Sequence, residues 1–115
     1  MKRGEIYWAD LVPRSGSAQT GRLLVIVVSH DGFNQTSTWK SIIVVPVSTS
    51  ASQGKRGPTV VELPGGSAGL AKASVAECHQ VTTLDRAKLT RKVGALPSEL
   101  LREVEGALKA AMDLE

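Results

Sequence analysis

The chain has very little of the residues and runs that secreted and membrane proteins depend on. One cysteine, Cys78, occurs in 115 residues, so no intrachain disulfide can form, which is typical of a reducing compartment. The apolar runs all fall far short of the ~20 residues of a membrane span. Glu5 and Asp10 interrupt the N-terminal stretch MKRGEIYWADL, which therefore makes a poor signal peptide. The sequence predicts a cytoplasmic protein without a membrane anchor.

Motifs for metal or cofactor chemistry are also missing. The sequence has no CxxC pair, no HExxH and no Cys/His cluster with metal-ligand spacing. It has no P-loop and no GxGxxG after a strand. Cys78 and His79 are adjacent, so in a strand they would point to opposite faces, and Cys78 is expected to be a small buried residue. We therefore expect no metal and no cofactor.

The composition is that of a globular protein, with 42% hydrophobic and 22% charged residues, and its length fits one domain over residues 1–115. The charge is unevenly distributed. Residues 11–61 carry Arg14, Arg22, Lys40, Lys55 and Arg56 against Asp31 alone, whereas residues 96–115 are acidic. A polyanion or an acidic peptide would dock on the basic half. An unevenly charged solvated surface would give the same balance.

Short β-rich segments fill most of the chain and one helical pattern ends it. Strands are predicted at EIYWADL, LLVIVVS, SIIVVPVS, PTVVEL and AKASVAECHQVTTL, five or six in all, and Pro46 indicates an edge strand or a strand exit. From Pro97 onward the apolar residues follow helical spacing. No βαβ alternation is present, which favours an antiparallel sheet. The predicted fold is mainly β, a small curved barrel closed by a C-terminal helix.

Two polar loops follow or precede buried strands. The first carries Arg14, Ser15, Ser17, Gln19, Thr20 and Arg22, and the second carries Ser48, Thr49, Ser50, Gln53, Lys55 and Arg56. Hydroxyl, amide and guanidinium groups suit phosphates and base edges. Such a set can cleave RNA without a metal, because the 2′-OH attacks the neighbouring phosphorus and the protein need only stabilise the added charge and manage two protons. Polar loops without any ligand have the same composition.

Several stretches in order together resemble the MazF/PemK toxin family. They are RGEIYWADL at 3–11, the Gly-Ser-x-Gln-x-Gly loop at 16–21, VIVVSHDGFN at 25–34 and VVPVSTS at 44–50, followed by AECHQVTTLDRAKL and the LPSELLREVEGAL helix. The resemblance implies an SH3-like barrel, a homodimer, and a sequence-specific, metal-independent endoribonuclease that cleaves single-stranded mRNA. It also implies a cognate acidic antitoxin whose tail lies across the RNA site.

The resemblance also assigns roles to individual residues. The family's catalytic hydroxyl falls on Ser48, with Thr49 beside it, and its RNA-binding glutamines fall on Gln19 and Gln80. The predicted RNA-binding set is Ser17, Gln19, Thr49, Lys55, Arg56 and Gln80. The family's catalytic arginine aligns with Leu23, and Arg22 stands one position earlier. We take Arg22 and Ser48 as the catalytic candidates, although a one-residue shift in an extended strand points a side chain to the other face.

Two other functions remain open for this sequence. The departure at Leu23 is compatible with an inactive protein that keeps the fold and binds RNA or an antitoxin without cleavage. A gyrase-poisoning toxin family shares the barrel and acts through protein binding alone. That family commonly ends in an aromatic residue, whereas this chain ends in AAMDLE, which argues against it.

Overall fold

The computed structural model describes residues 1–11, 21–49 and 57–115. The strands are β1 (Glu5–Leu11), β2 (Gly21–Val27), β3 (Ser41–Ser48), β4 (Val60–Leu63), β5 (Ser74–Glu77), β6 (Thr82–Asp85) and β7 (Leu89–Ala95). The helices are α1 (Asp31–Asn34) and α2 (Ser98–Met112), with 3₁₀ turns at Cys78–Gln80 and Arg86–Lys88. The predicted site residues Ser17, Gln19, Lys55 and Arg56 lie outside the described ranges.

All the described strands belong to one antiparallel sheet in the order β4-β5-β3-β2-β1-β7, with β6 paired to β3. The prediction of a mainly β, antiparallel fold with a C-terminal helix is confirmed. The two ends of the sheet meet without a strand ladder between β4 and β7 in the described residues. Instead the turn at Ala68–Gly69 packs so closely on Val93–Gly94 that a Cβ built on Gly94 would lie 2.1 Å from the Ala68 carbonyl oxygen.

Three local predictions differ from the structure. Seven strands form rather than five or six. The segment expected as one strand at 71–84 is broken by the 3₁₀ turn Cys78–Gln80, because the chain leaves β5 and returns along the other end of β3 as β6. Pro46 does not mark an edge strand or an exit, since β3 runs on to Ser48 inside the sheet. β3 pairs with β6 up to Val44 and with β5 from Val47 onward. Pro46 lies between these two paired regions, where its missing N–H is tolerated.

The two faces of the central strands support separate apolar clusters. Leu24 and Ile26 of β2 belong to the larger cluster, which α2 closes with Val104, Ala107 and Leu108. Val25 and Val27 alternate with them and join the smaller cluster on the opposite face. The unbroken apolar run of β2 therefore follows from burial on both faces, as the sequence indicated. Cys78 is fully buried, as predicted, and its thiol lies 3.9 Å from the Val104 carbonyl oxygen.

Candidate functional site: a cationic double cleft around Trp8

A cleft of about 620 Å³ opens at the ends of β2 and β3. Four of the residues predicted from the sequence lie in its wall: Arg22, Ser48, Thr49 and Gln80. The rest of the described lining is Trp8, Leu23, Leu24, Pro46, Val47 and Glu77. The structure thus brings together a guanidinium, two hydroxyls and an amide that come from three separate parts of the chain.

Arg22 is held at the cleft by the pairing of β1 with β2. Asp10 lies opposite Arg22 and Trp8 opposite Leu24, so Arg22 and Trp8 are diagonal neighbours on one face of the sheet. The Arg22 guanidinium carbon lies 4.4 Å from the centroid of the Trp8 ring, in cation–π contact. The indole thus holds the planar guanidinium on the face of β2 that carries Leu24, at the wall of the cleft.

Leu23 lies between Arg22 and Leu24 and therefore directs its side chain to the other face of β2. It packs against the smaller apolar cluster, near Ala9 and Val25, although it also borders the cleft. Strand alternation thus places the charged neighbour, and not the leucine, on the face that carries Trp8. On the neighbouring strand Val47 pairs with Leu24, so Ser48 shares its face with Leu23, whereas Arg22 shares its face with Trp8. Both position 22 and position 23 border the cleft.

The hydroxyl and amide groups come from the ends of two paired strands. Ser48 ends β3, pairs with Val75 of β5 and is half-buried, while Thr49 follows it and is exposed. Gln80 is exposed and lies on the 3₁₀ turn after β5, not in a strand. β3 and β5 are antiparallel, so Thr49 after β3 and the turn after β5 leave the paired region at its two opposite ends. The paired part of β3 is only Val47 and Ser48, which is short enough for both ends to border one cleft.

Two residues of the cleft were not identified as functional from the sequence. Trp8 reads there as an ordinary strand residue, and only the register of β1 with β2 shows that it supports Arg22. Glu77 is 7% exposed, precedes the 3₁₀ turn and contributes a carboxylate to the lining. No spacing in the sequence marks Glu77, because its position depends on where β5 ends.

A second cleft of about 440 Å³ adjoins the first and shares Trp8, Leu24 and Thr49 with it. Its remaining lining is Gly69, Leu70, Ala71, Lys72, Ser74, Arg91, Lys92 and Val93. Arg91 pairs directly with Trp8 across β1 and β7. Trp8 therefore has Arg22 on one side and Arg91 on the other, at the boundary between the two clefts.

Lys92 lines the second cleft and is held by an ion pair with Glu5, which lies outside that lining. Its ammonium lies 2.8 Å from the carboxylate of Glu5, which also accepts hydrogen bonds from the Lys2 amide and the Tyr7 hydroxyl. Burial raises the pKa of Glu5, but these hydrogen bonds and the Lys92 charge outweigh it, and the pKa is held below its ordinary value. Burial and the neighbouring Glu5 raise the pKa of Tyr7 to about 12. The charge of Lys92 is thus largely neutralised by Glu5, and Arg91 and Lys72 are the cations available to a ligand there.

Among the described residues no group of three or more His, Cys, Asp or Glu is placed to hold a metal ion. His79 lies 3.4 Å from the Thr59 hydroxyl, and His30 accepts a hydrogen bond from the Gly32 amide at the start of α1. No helix in the described ranges has the length and apolar character needed to cross a membrane.

A small antiparallel sheet with a cation, hydroxyls and an amide in one cleft defines a class of protein suited to bind a phosphate-bearing strand. Comparison with known proteins makes this more specific. Residues 2–112 match the family described as PemK-like, MazF-like toxins of type II toxin–antitoxin systems. The chain belongs to this family, and the resemblance drawn from its motifs is confirmed.

Individual relatives align with the chain from end to end. It is 35% identical over 114 residues to the endoribonuclease MazF2 of Mycobacterium bovis, covering 99% of this chain and 98% of that protein. It is 34% identical over 114 residues to the endoribonuclease EndoA of Bacillus subtilis, covering 99% and 96%. The fold is similar to a MazE–MazF crystal structure from Deinococcus radiodurans, with a TM-score of 0.79, 25% identity and coverage of 100% and 97%.

Proposed function

We propose that this protein is the toxin of a type II toxin–antitoxin pair and an endoribonuclease that cleaves single-stranded mRNA without a metal. One observation carries the proposal: Arg22, stacked on Trp8, lines the same cleft as Ser48, Thr49 and Gln80. Family membership and two relatives named endoribonucleases support it.

In the proposed reaction the 2′-oxygen of one nucleotide attacks the adjacent phosphorus and the bond to the 5′-oxygen of the next nucleotide breaks. The products are a 2′,3′-cyclic phosphate and a free 5′-hydroxyl, so one proton leaves the 2′-OH and one reaches the departing oxygen. The phosphorane formed on the way carries extra negative charge. Arg22 would bind two of its oxygens and the Ser48 hydroxyl would donate to a non-bridging oxygen.

The remaining lining groups fit recognition of an unpaired strand. Trp8 offers a ring edge beside the guanidinium, and Gln80 and Thr49 offer donors and acceptors for base edges. Ser17, Gln19, Lys55 and Arg56 stay predictions for RNA contact, since they lie outside the described residues. We further propose a homodimer, acting in the cytoplasm where its substrate and an acidic antitoxin are found. The MazE–MazF structure that resembles this chain supports an antitoxin partner.

The test is cleavage of a long RNA in the presence of excess EDTA, with the ends mapped by primer extension. Discrete cuts that resist EDTA are expected. Ser48→Ala should lower the rate ~10²-fold or more, the loss typical of an oxyanion-type donor. Ser41→Ala is the matched control, because Ser41 lies exposed at the other end of β3, paired with Asp85. Equal cleavage by the Ser48 and Ser41 variants would show that the hydroxyl is assigned wrongly.

An inactive binding protein is the second candidate, favoured by the leucine at position 23. In that case the same assay shows no cuts above background, while a labelled RNA or an acidic antitoxin peptide still binds. The assay therefore separates catalysis from binding in one preparation.

A further inference from the structure

We infer that the second cleft is a subsite for a nucleotide flanking the scissile phosphodiester, with Arg91 and Lys72 as its phosphate contacts and Trp8 as its base contact. This inference rests on the proposed function. It is carried by the three residues that the two clefts share and by the row of side chains that runs from one cleft to the other.

The two clefts are neighbours. Trp8, Leu24 and Thr49 belong to both linings, so the second cleft borders the one that holds Arg22 and Ser48. Across the sheet the row runs from Arg22 to Trp8 by the cation–π contact and from Trp8 to Arg91 by direct pairing of β1 with β7. Single strands are bound in this way, with a cationic path along the backbone and an aromatic ring for a base.

The charges in the second cleft favour an anion. Its described lining contains Lys72, Arg91 and Lys92 and no carboxylate. Lys92 is engaged by Glu5, whereas Arg91 and Lys72 are exposed and form no ion pair with another described residue. Ser74 and Thr49 add hydroxyls, and Gly69, Leu70, Ala71 and Val93 form an apolar wall. A nucleotide presents a phosphate to the cations and a base to the ring and the apolar wall.

The experiment compares substrates of different length. Once the cut site is mapped, short fluorogenic RNAs centred on it are shortened one nucleotide at a time from each end, and kcat/KM is measured. One shortening step is expected to lower kcat/KM about tenfold in the parent. On the full-length RNA, Arg91→Ala should lower kcat/KM by the same factor as that shortening step does in the parent. Removing the same nucleotide should then lower the kcat/KM of Arg91→Ala no further. Arg91→Lys should recover most of that loss, and Lys72→Ala should act in the same direction.

Arg102→Ala is the matched control, because Arg102 is an exposed arginine on α2 that lines neither cleft. The inference is overturned if Arg91→Ala behaves like Arg102→Ala, or if it loses the same factor on every substrate length. It is also overturned if Arg91→Ala leaves RNA kinetics unchanged but weakens an acidic peptide, which would assign the cleft to an antitoxin.

The two proposals fail in distinguishable ways. Loss of the proposed function appears as no Ser48-dependent cleavage of any RNA. The length dependence is then measured by fluorescence anisotropy of labelled RNAs, where Arg91→Ala should still remove the binding gain of the flanking nucleotide. Loss of the inference alone appears as normal cleavage whose length dependence is the same with and without Arg91.

Discussion

Point substitutions at residues 22 and 23 test the central feature of the cleft, which is the arginine that stacks on Trp8. Arg22→Ala removes a guanidinium 4.4 Å from the ring centroid. At an exposed site that contact contributes only about 0.5–1 kcal/mol, so the folded state should lose little stability. A bidentate contact to the phosphorane is worth more, about 3–4 kcal/mol at a site of oxyanion type. Cleavage should therefore fall on the order of 10²- to 10³-fold.

Arg22→Lys and Leu23→Arg complete the series. Lysine keeps the charge but loses the planar fork and its stacking, so Arg22→Lys should be intermediate in rate. Leu23→Arg places a charge against the smaller apolar cluster, and we expect lower stability, by about 1–3 kcal/mol, with no gain in cleavage. The assays are EDTA-resistant cleavage of the mapped RNA and urea unfolding of the same preparations.

One pattern would refute this reasoning. If Leu23→Arg raised cleavage tenfold or more while Arg22→Ala left it unchanged, the working cation position would be 23. The cation would then act from the face of β2 that Leu23 shares with Ser48. Toxicity on induced expression in a bacterial host gives an independent readout, because it should follow the cleavage rates of the four proteins.

Three further predictions concern the fold. Gly94→Ala should lower the free energy of unfolding by about 2 kcal/mol or more, because its Cβ would lie 2.1 Å from the Ala68 carbonyl oxygen. Gly106→Ala, whose Cβ would have nothing within 4 Å, should raise the free energy of unfolding by about 1 kcal/mol. Similar melting temperatures for the two variants would contradict this. Absorbance at 295 nm should titrate Tyr7, the only tyrosine, near pH 12 in the folded protein and near pH 10 in urea. Since its pKa is raised on folding, its stabilising contribution is full below pH 10 and is lost as the pH rises towards 12, a slope that Tyr7→Phe should remove. Burial raises the pKa of Cys78 to about 11, so a disulfide reagent at pH 8 should label it only after unfolding.

The sequence predicted those parts of the molecule that depend on local pattern. The spacing of Leu100, Leu101, Val104 and Leu108 predicted α2, and the two-sided apolar runs predicted β2 and β3, because these patterns directly reflect which face is buried. The break at Cys78–Gln80 was missed, since it depends on β3 changing partners and not on the residues of the turn.

The site was predicted less completely for the same reason. Ser48, Thr49 and Gln80 were identified through family motifs, and the structure places them in one cleft. An alignment that runs through the preceding loop puts the family's catalytic arginine at position 23 and does not show whether Arg22 can take its role. Strand pairing shows what each position faces: Arg22 shares a face with Trp8, and Leu23 shares a face with Ser48. The catalytic role of Arg22 stays a prediction. Trp8 and Arg91 needed the register of three strands, which no local motif carries.

The position of Arg91 on an edge strand also affects the tendency of the protein to aggregate. In the described residues β7 pairs with a strand only on its β1 side, and the Ala68–Gly69 turn covers its other side at Val93–Gly94, so the part that contains Arg91 is an unpaired strand edge. Such an edge invites pairing with strands of other molecules, and charged side chains and bulges hinder it. β7 has both, since Arg91 and Lys92 carry charge and the ladder with β1 shifts register on either side of the Tyr7–Trp8 pair. Arg91 and Lys92 thus hinder the formation of intermolecular sheets. Variants that replace them with neutral residues should aggregate more readily during refolding at high protein concentration.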